Sequence, residues 1–288
     1  MIEFNFDQLP ALLPRYLRAA FAGLPGRRPG ADIVIPQIRA TADAVIAEPD
    51  RVQRCRQLLN HPDDGLLPPT FPQMLAAPLH LSVLTAREFP LRAGGIVHLA
   101  NTIQVLEPIA QDQELQLVVT LKDQEDTARG IELTMHTAAV VAGRVVWKAE
   151  SLMLSRQPTS VKRRRRAPRP SPGSLREVDT WRAKRNVGRR YATLSGDYNP
   201  IHLSAATARA FGFRAAIAHG MWSFGRSIAG LSRFLQPPYG VEAEFRRPLL
   251  LPARVRLLLD TVDARHFELV DATSGKAYLA GFLNLDTP

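Results

Sequence analysis

The chain has 288 residues, of which 45% are hydrophobic and 22% charged, the balance of a globular protein with room for one large domain or two of ordinary size. Its formal net charge is +10, from 37 Lys and Arg against 27 Asp and Glu, but residues 162–166 and Arg169 alone supply six of the positive charges. The single cysteine, Cys55, excludes an internal disulfide and a cysteine metal cluster.

The N-terminus carries acidic residues early and lacks a basic segment followed by an apolar core, so it does not read as a signal peptide. Arg144 and Arg254 interrupt the most apolar stretches, well short of the roughly 18 uninterrupted residues of a spanning helix. A cytoplasmic protein with no membrane span is expected.

In chain order, FPQMLAAPLHLSVL (residues 71–84) predicts a buried apolar helix. Four strand-like segments follow, at residues 96–109, 114–123, 131–141 and 144–154, each alternating or rich in β-branched residues. Residues 157–173, QPTSVKRRRRAPRPSPG, combine four prolines with a charge run and have little to bury, which predicts an exposed linker. The KRRRR run invites a nucleic-acid or anionic-membrane reading, but nothing that reads bases accompanies it, so no specific nucleic acid is expected. Beyond the linker, AAIAHGMWSFGRSIAGL (residues 215–231) predicts a second apolar helix, followed by four more strand-like segments between residues 239 and 286.

Both halves thus run helix, then four strands, which suggests an internal repeat. His80 precedes His219 by 139 positions and Pro108 precedes Pro248 by 140, each proline within a strand-like run. A helix wrapped by an antiparallel sheet, twice over, predicts an α+β double hotdog. Its two hotdog units would form a pseudo-dimer in one chain that pairs edge strands and buries both central helices. The expected divisions are an N-terminal unit (1–156), a Pro/Arg-rich linker (157–175) and a C-terminal unit (176–288).

Residues 191–208, YATLSGDYNPIHLSAATA, carry the chemistry. Gly196 permits a backbone geometry closed to other residues and Pro200 fixes φ, so this is a rigid turn. Asn199 can bond nearby backbone, with Ser195 beside it, and the turn can aim Asp197 and His202 at one point. Adding water to a conjugated double bond needs a base for the water proton and an acid for the α-carbon, work that an imidazole and a carboxylate in a partly desolvated pocket can share. An isolated Asp-x-Asn-Pro is more often a capped turn; the ten constrained positions here change that weighing.

That pattern, an aromatic, an aliphatic, a small residue and then Gly-Asp-x-Asn-Pro-aliphatic-His, resembles the signature of the MaoC-like, or (R)-specific enoyl-CoA hydratase, family. The resemblance covers roughly residues 180–285, with IAHGM (217–221) and FRRPLLLP (245–252) as further matches. It implies a hydratase of 2-enoyl thioesters, or a 3-hydroxyacyl-thioester dehydratase in reverse, in fatty acyl metabolism. Asp197 and His202 would be the acid–base pair and Gly220 the main-chain donor to the thioester oxygen; His219 reads as a capping or hydrogen-bonding residue. No metal or redox cofactor is implied. Coenzyme A or acyl carrier protein would carry the substrate, with Arg189, Arg190 and Arg246 as candidates for phosphate, Arg246 alternating with Arg247 on a strand. A homodimer stays open.

The first half lacks this machinery. Leu81 stands at the place corresponding to Gly220, and LLNHPDDG (58–65) reads as a polar turn. That implies a non-catalytic N-terminal unit that shapes the acyl tunnel. Two rivals stay open at this point: a hotdog acyl-thioesterase, and a catalytically silent binder of acyl-thioesters.

Overall fold

The computed structural model describes residues 1–12, 33–159, 161, 174–262 and 264–285. Most of the linker expected at 157–175, including its KRRRR run, lies outside them. Among the described residues no helix is long and apolar enough to cross a membrane.

The N-terminal half contributes strands β1 (Ile2–Phe6) and β2 (Ile38–Val45), helices α1 (Pro49–Leu59), α2 (Phe71–Leu75) and α3 (Ala77–Leu84), then β3 (Ile96–Val105), β4 (Leu115–Thr127), β5 (Gly130–Val141) and β6 (Arg144–Ser155). The C-terminal half contributes β7 (Leu175–Ala183), α4 (Val187–Ser195), α5 (Ala205–Arg209), α6 (Gly220–Leu231), β8 (Tyr239–Phe245), β9 (Ala253–Asp260), β10 (His266–Asp271) and β11 (Ala277–Asn284).

All these strands join one sheet in the order β1-β2-β4-β5-β6-β3-β8-β11-β10-β9-β7. Leaving aside β1, the order reads the same from either end, β2 matching β7 and β3 matching β8. The two halves meet at the centre, where β3 and β8 pair antiparallel from Ala100↔Glu244 to Val105↔Tyr239. This is the expected double hotdog, each half adding a strand, β2 or β7, ahead of its helices.

Local sequence explains the helices. α6 is buried almost all round, including Trp222, Phe224, Ile228 and Leu231, as a central helix wrapped by a sheet must be. Its one charge, Arg226, is buried but bonds Asp179 at 2.8 Å and lies 4.2 Å over the Trp181 ring, so it is not left uncompensated. The single helix expected over residues 71–84 is two, α2 and α3, meeting at Ala76; Pro72 and Pro78 each open one of them, where a missing N–H costs nothing.

Three expectations change. Pro108 and Pro248 both fall just after a strand, not within one, since β3 ends at Val105 and β8 at Phe245. Arg246 and Arg247 therefore do not alternate on a strand: both backbone N–H groups go to the Tyr278 carbonyl, and both side chains are exposed. His80 and His219 are not structural counterparts either. His80 and Leu81 lie inside α3, whereas His219 is the residue before α6. The N-terminal half therefore lacks an available amide at Leu81 because the helix has already begun.

The polar turn expected at 58–65 is as read: Asn60 ends α1 in a left-handed conformation, and Asp63 and Asp64 pair with the buried Arg56 at 2.7 and 3.6 Å. Cys55 is buried on α1, which pushes its thiol up to about 12 and leaves it unreactive.

The halves also pack through helices. A Cβ at Gly225 on α6 would lie 2.9 Å from Thr70 Oγ1 and 3.1 Å from Leu59. Gly225→Val should force α6 away from α1 and lower stability by about 1–3 kcal/mol, read as a lower urea midpoint at unchanged m-value.

Candidate active site

The candidate catalytic turn begins where α4 ends. Gly196 caps the helix at φ +76°, and its Cα lies against the Leu12 side chain, so a side chain there would be both strained and obstructed. Ser195 links helix to turn, donating to the Tyr191 carbonyl at 2.9 Å and accepting from Asp197 N–H at 3.2 Å. Asp197 Oδ1 accepts the Asn199 N–H at 3.1 Å, and Asn199 Oδ1 accepts the Ile201 N–H at 3.4 Å. Successive side chains thus close each backbone step, as the local sequence predicts. A short 3-10 turn, Pro200–His202, then places His202 inward, 8% exposed.

His202 Nδ1 lies 2.9 Å from the Ile217 carbonyl. A carbonyl only accepts, so the proton sits on Nδ1 and Nε2 keeps its lone pair. Burial lowers the pKa of His202 from its ordinary value, partly opposed by the charge of Asp197 and by the Ile217 bond. The ring is therefore neutral near pH 7 and able to act as a base. Asp197, His202 and His219 each bring a polar atom within 4.8 Å of the others. The Asp197 side chain is 51% exposed, so the carboxylate is more open to solvent than the partly desolvated pocket expected of it, and it keeps the pair accessible. Two surface cavities, of about 510 and 350 Å³, lie elsewhere, beside Trp181 and beside Trp147.

His219 has a larger part than sequence suggested. It stands at the N-cap position of α6, but its side chain makes no cap bond. Instead Nε2 donates to the Asp197 carbonyl at 2.9 Å and lies 3.7 Å from Asp197 Oδ2, while the ring stacks on His202 with centroids 3.6 Å apart and planes 25° apart. Burial, with His202 adjacent, lowers its pKa to about 4, so the stack stays neutral.

Gly220 opens α6, so its N–H has no partner within the helix and has the positive end of the helix dipole behind it. A Cβ there would lie 2.9 Å from the Phe245 ring, the first residue of the FRRP segment, so that ring excludes any side chain from the spot. Ser223 and Ser227 are occupied within the helix, donating to the His219 and Ser223 carbonyls at 3.4 and 2.9 Å. Of the phosphate candidates, Arg189 and Arg190 are exposed on α4, Arg189 reaching the Leu203 carbonyl at 3.4 Å, and Arg246 is 3.7 Å from Glu244.

Two contributors escape sequence reasoning because only the fold brings them near. Arg51, on α1 of the other half, donates through Nε at 2.9 Å and through Nη2 at 2.6 Å to the Leu194 carbonyl, and through Nη2 to Met74 at 3.3 Å. It thereby satisfies the C-terminal end of α4 just before the 195–202 turn. Gly188 lets α4 lie on the His202 backbone; a Cβ there would strike the His202 carbonyl.

Residues 178–276 match the family model for the MaoC like domain. The chain is 29% identical over 252 residues to the 3-hydroxyacyl-thioester dehydratase X of Mycobacterium tuberculosis, covering 86% of this chain and 88% of that protein. The crystal structure of HtdX from Mycobacterium tuberculosis superposes with a TM-score of 0.73 at 26% identity, over 85% of this chain and 98% of that one. A second Mycobacterium tuberculosis structure, described as a double hotdog fold, shares the fold at TM-score 0.52 and 12% identity, over 85% of this chain and 95% of that one. The chain has a double-hotdog fold, and its residues 178–276 are similar to the MaoC like domain.

Arg51→Ala should cost about 2–3 kcal/mol by stranding the Leu194 carbonyl, measured by urea unfolding, and Arg51→Lys should restore only part because an ammonium cannot fork. A second expectation concerns acid. His80, His98 and His219 are held near about 4 chiefly by burial, against an ordinary 6.5. Between those values the unfolded chain binds more protons than the folded one, so stability is full above pH 6.5 and falls as pH drops toward 4. Unfolding midpoints at pH 7.5 and pH 5 should show this, and His80→Gln should reduce the difference.

Proposed function

We propose that the chain is an (R)-specific 2-enoyl-thioester hydratase, or 3-hydroxyacyl-thioester dehydratase in reverse, acting on acyl chains carried by coenzyme A or acyl carrier protein. The observation that carries this reading is the fixed tautomer of His202: its Nδ1 is committed to Ile217, so a free Nε2 lone pair stands beside the Asp197 carboxylate.

In the hydration direction a water is held by His202 Nε2 and Asp197. The pair takes one proton as the oxygen adds to the β-carbon, and the double-bond electrons move toward the thioester oxygen. That oxygen lies at the Gly220 N–H, where the α6 dipole favours developing negative charge. The pair then delivers a proton to the α-carbon, and the carbonyl re-forms. One water supplies both hydroxyl and proton to the same face, and the thioester is the electron sink, so no cofactor enters the scheme.

His219 is a positioning residue, holding the Asp197 backbone and the face of His202. In this reading residues 176–288 form the catalytic unit and residues 1–156 a non-catalytic partner, separated by the 157–175 linker. Arg189, Arg190 and Arg246 are surface cations suited to the carrier's phosphates.

The test is ultraviolet absorbance of crotonyl-CoA with thiol release followed in parallel. Loss of the enoyl band without free thiol is the expected result; thiol release would indicate a thioesterase, and neither signal a silent binder. Asp197→Asn and His202→Ala should each lower kcat by roughly 10²–10⁴ with the thermal transition of a folded protein.

A further inference from the structure

The proposed active site borders on a residue of the other half. His98 lies near the start of β3, where pairing with β6 slips between His98 and Ala100, so a bulge at Leu99 sets its direction. The next residues of β3 pair with β8, and Ala100 opposite Glu244 brings His98 beside Phe245. The two rings meet edge to face with centroids 5.0 Å apart. Phe245 is the ring that covers Gly220, and Asp197 is close enough for its charge to act on His98. His98 thus touches the ring over the proposed carbonyl-binding amide.

His98 is half-buried, and its Nε2 is fully covered and has no hydrogen-bond partner among the described residues. The Ala100 backbone favours a proton on Nδ1, so Nε2 is an acceptor. Leaving such an atom unmatched is costly in a folded protein, and a ligand that supplies a donor recovers that cost.

We propose that His98, from the N-terminal half, is a substrate-positioning residue whose Nε2 accepts a hydrogen bond from the first amide N–H of the pantetheine arm. This rests on the hydratase reading above. Near its reacting end a 3-hydroxyacyl thioester offers two donors, the 3-hydroxyl and this amide. The hydroxyl belongs to Asp197 and His202. The amide is two carbons beyond the sulfur, on the carrier side of the carbonyl held at Gly220, and coenzyme A and acyl carrier protein share it.

The test compares crotonyl N-acetylcysteamine thioester, which has the amide, with crotonyl ethyl thioester, which lacks it, for the full-length wild type, His98→Phe and His98→Gln. The wild type should favour the amide substrate in kcat/KM by about 3- to 10-fold, the value of one neutral hydrogen bond. His98→Phe should bring that ratio to near one mainly by raising KM for the amide substrate. His98→Gln, which keeps an acceptor, should retain most of it, and remains informative if His98→Phe does not fold.

Equal loss on both substrates, or a ratio unchanged in His98→Phe, would overturn the assignment while leaving the hydratase reading intact. Failure of the wild type to hydrate either thioester would overturn both.

Discussion

The Ile217 main chain is the point on which the site depends. Its carbonyl accepts from His202 Nδ1 and its N–H donates to the Ile201 carbonyl, so both ends of that residue hold the 195–202 turn. Ile217 also bridges to Leu250, and Ala218 N–H goes to Leu249, which ties the segment to the chain just beyond β8. Two residues after Ala218, α6 begins with Gly220. A short stretch of backbone therefore fixes the His202 tautomer and the start of α6 relative to each other. In the proposed hydratase, the acid–base pair and the carbonyl-binding amide would be set before any substrate arrives, which is what electrostatic preorganisation requires.

The second constraint is the β3–β8 junction. Two hotdog halves could pack loosely, but antiparallel pairing of their edge strands makes one sheet and leaves neither edge exposed at the centre. It also makes the N-terminal half part of the site. Arg51 holds the end of α4, and His98 reaches Phe245 across the junction. A half without Asp197 or His202 counterparts can thus be retained for what it contributes to the other half's geometry.

The neutral state of the histidine cluster follows from the same burial. His202, His219, His80 and His98 all have lowered pKa values, with loss of hydration the largest cause in each case. The burial that keeps His202 neutral also makes the fold sensitive to acid.

Sequence alone determined the elements with strong local signals. The eight strand segments after the two apolar helices are all present, because alternation fixes which side chains can be buried. The Ser195–His202 turn is also locally encoded: Ser195, Asp197 and Asn199 each accept the N–H two residues on, while Gly196 and Pro200 set the backbone angles. Tertiary structure decided what depends on distant partners. Strands β2 and β7 owe their place to neighbours at the sheet ends, and the His219 stack, the Arg51 clamp and His98 join residues up to 147 positions apart in contacts that no local pattern records. The unequal fates of His80 and His219, at nearly matched positions in a repeat, turn on where each helix starts, which packing against the sheet sets.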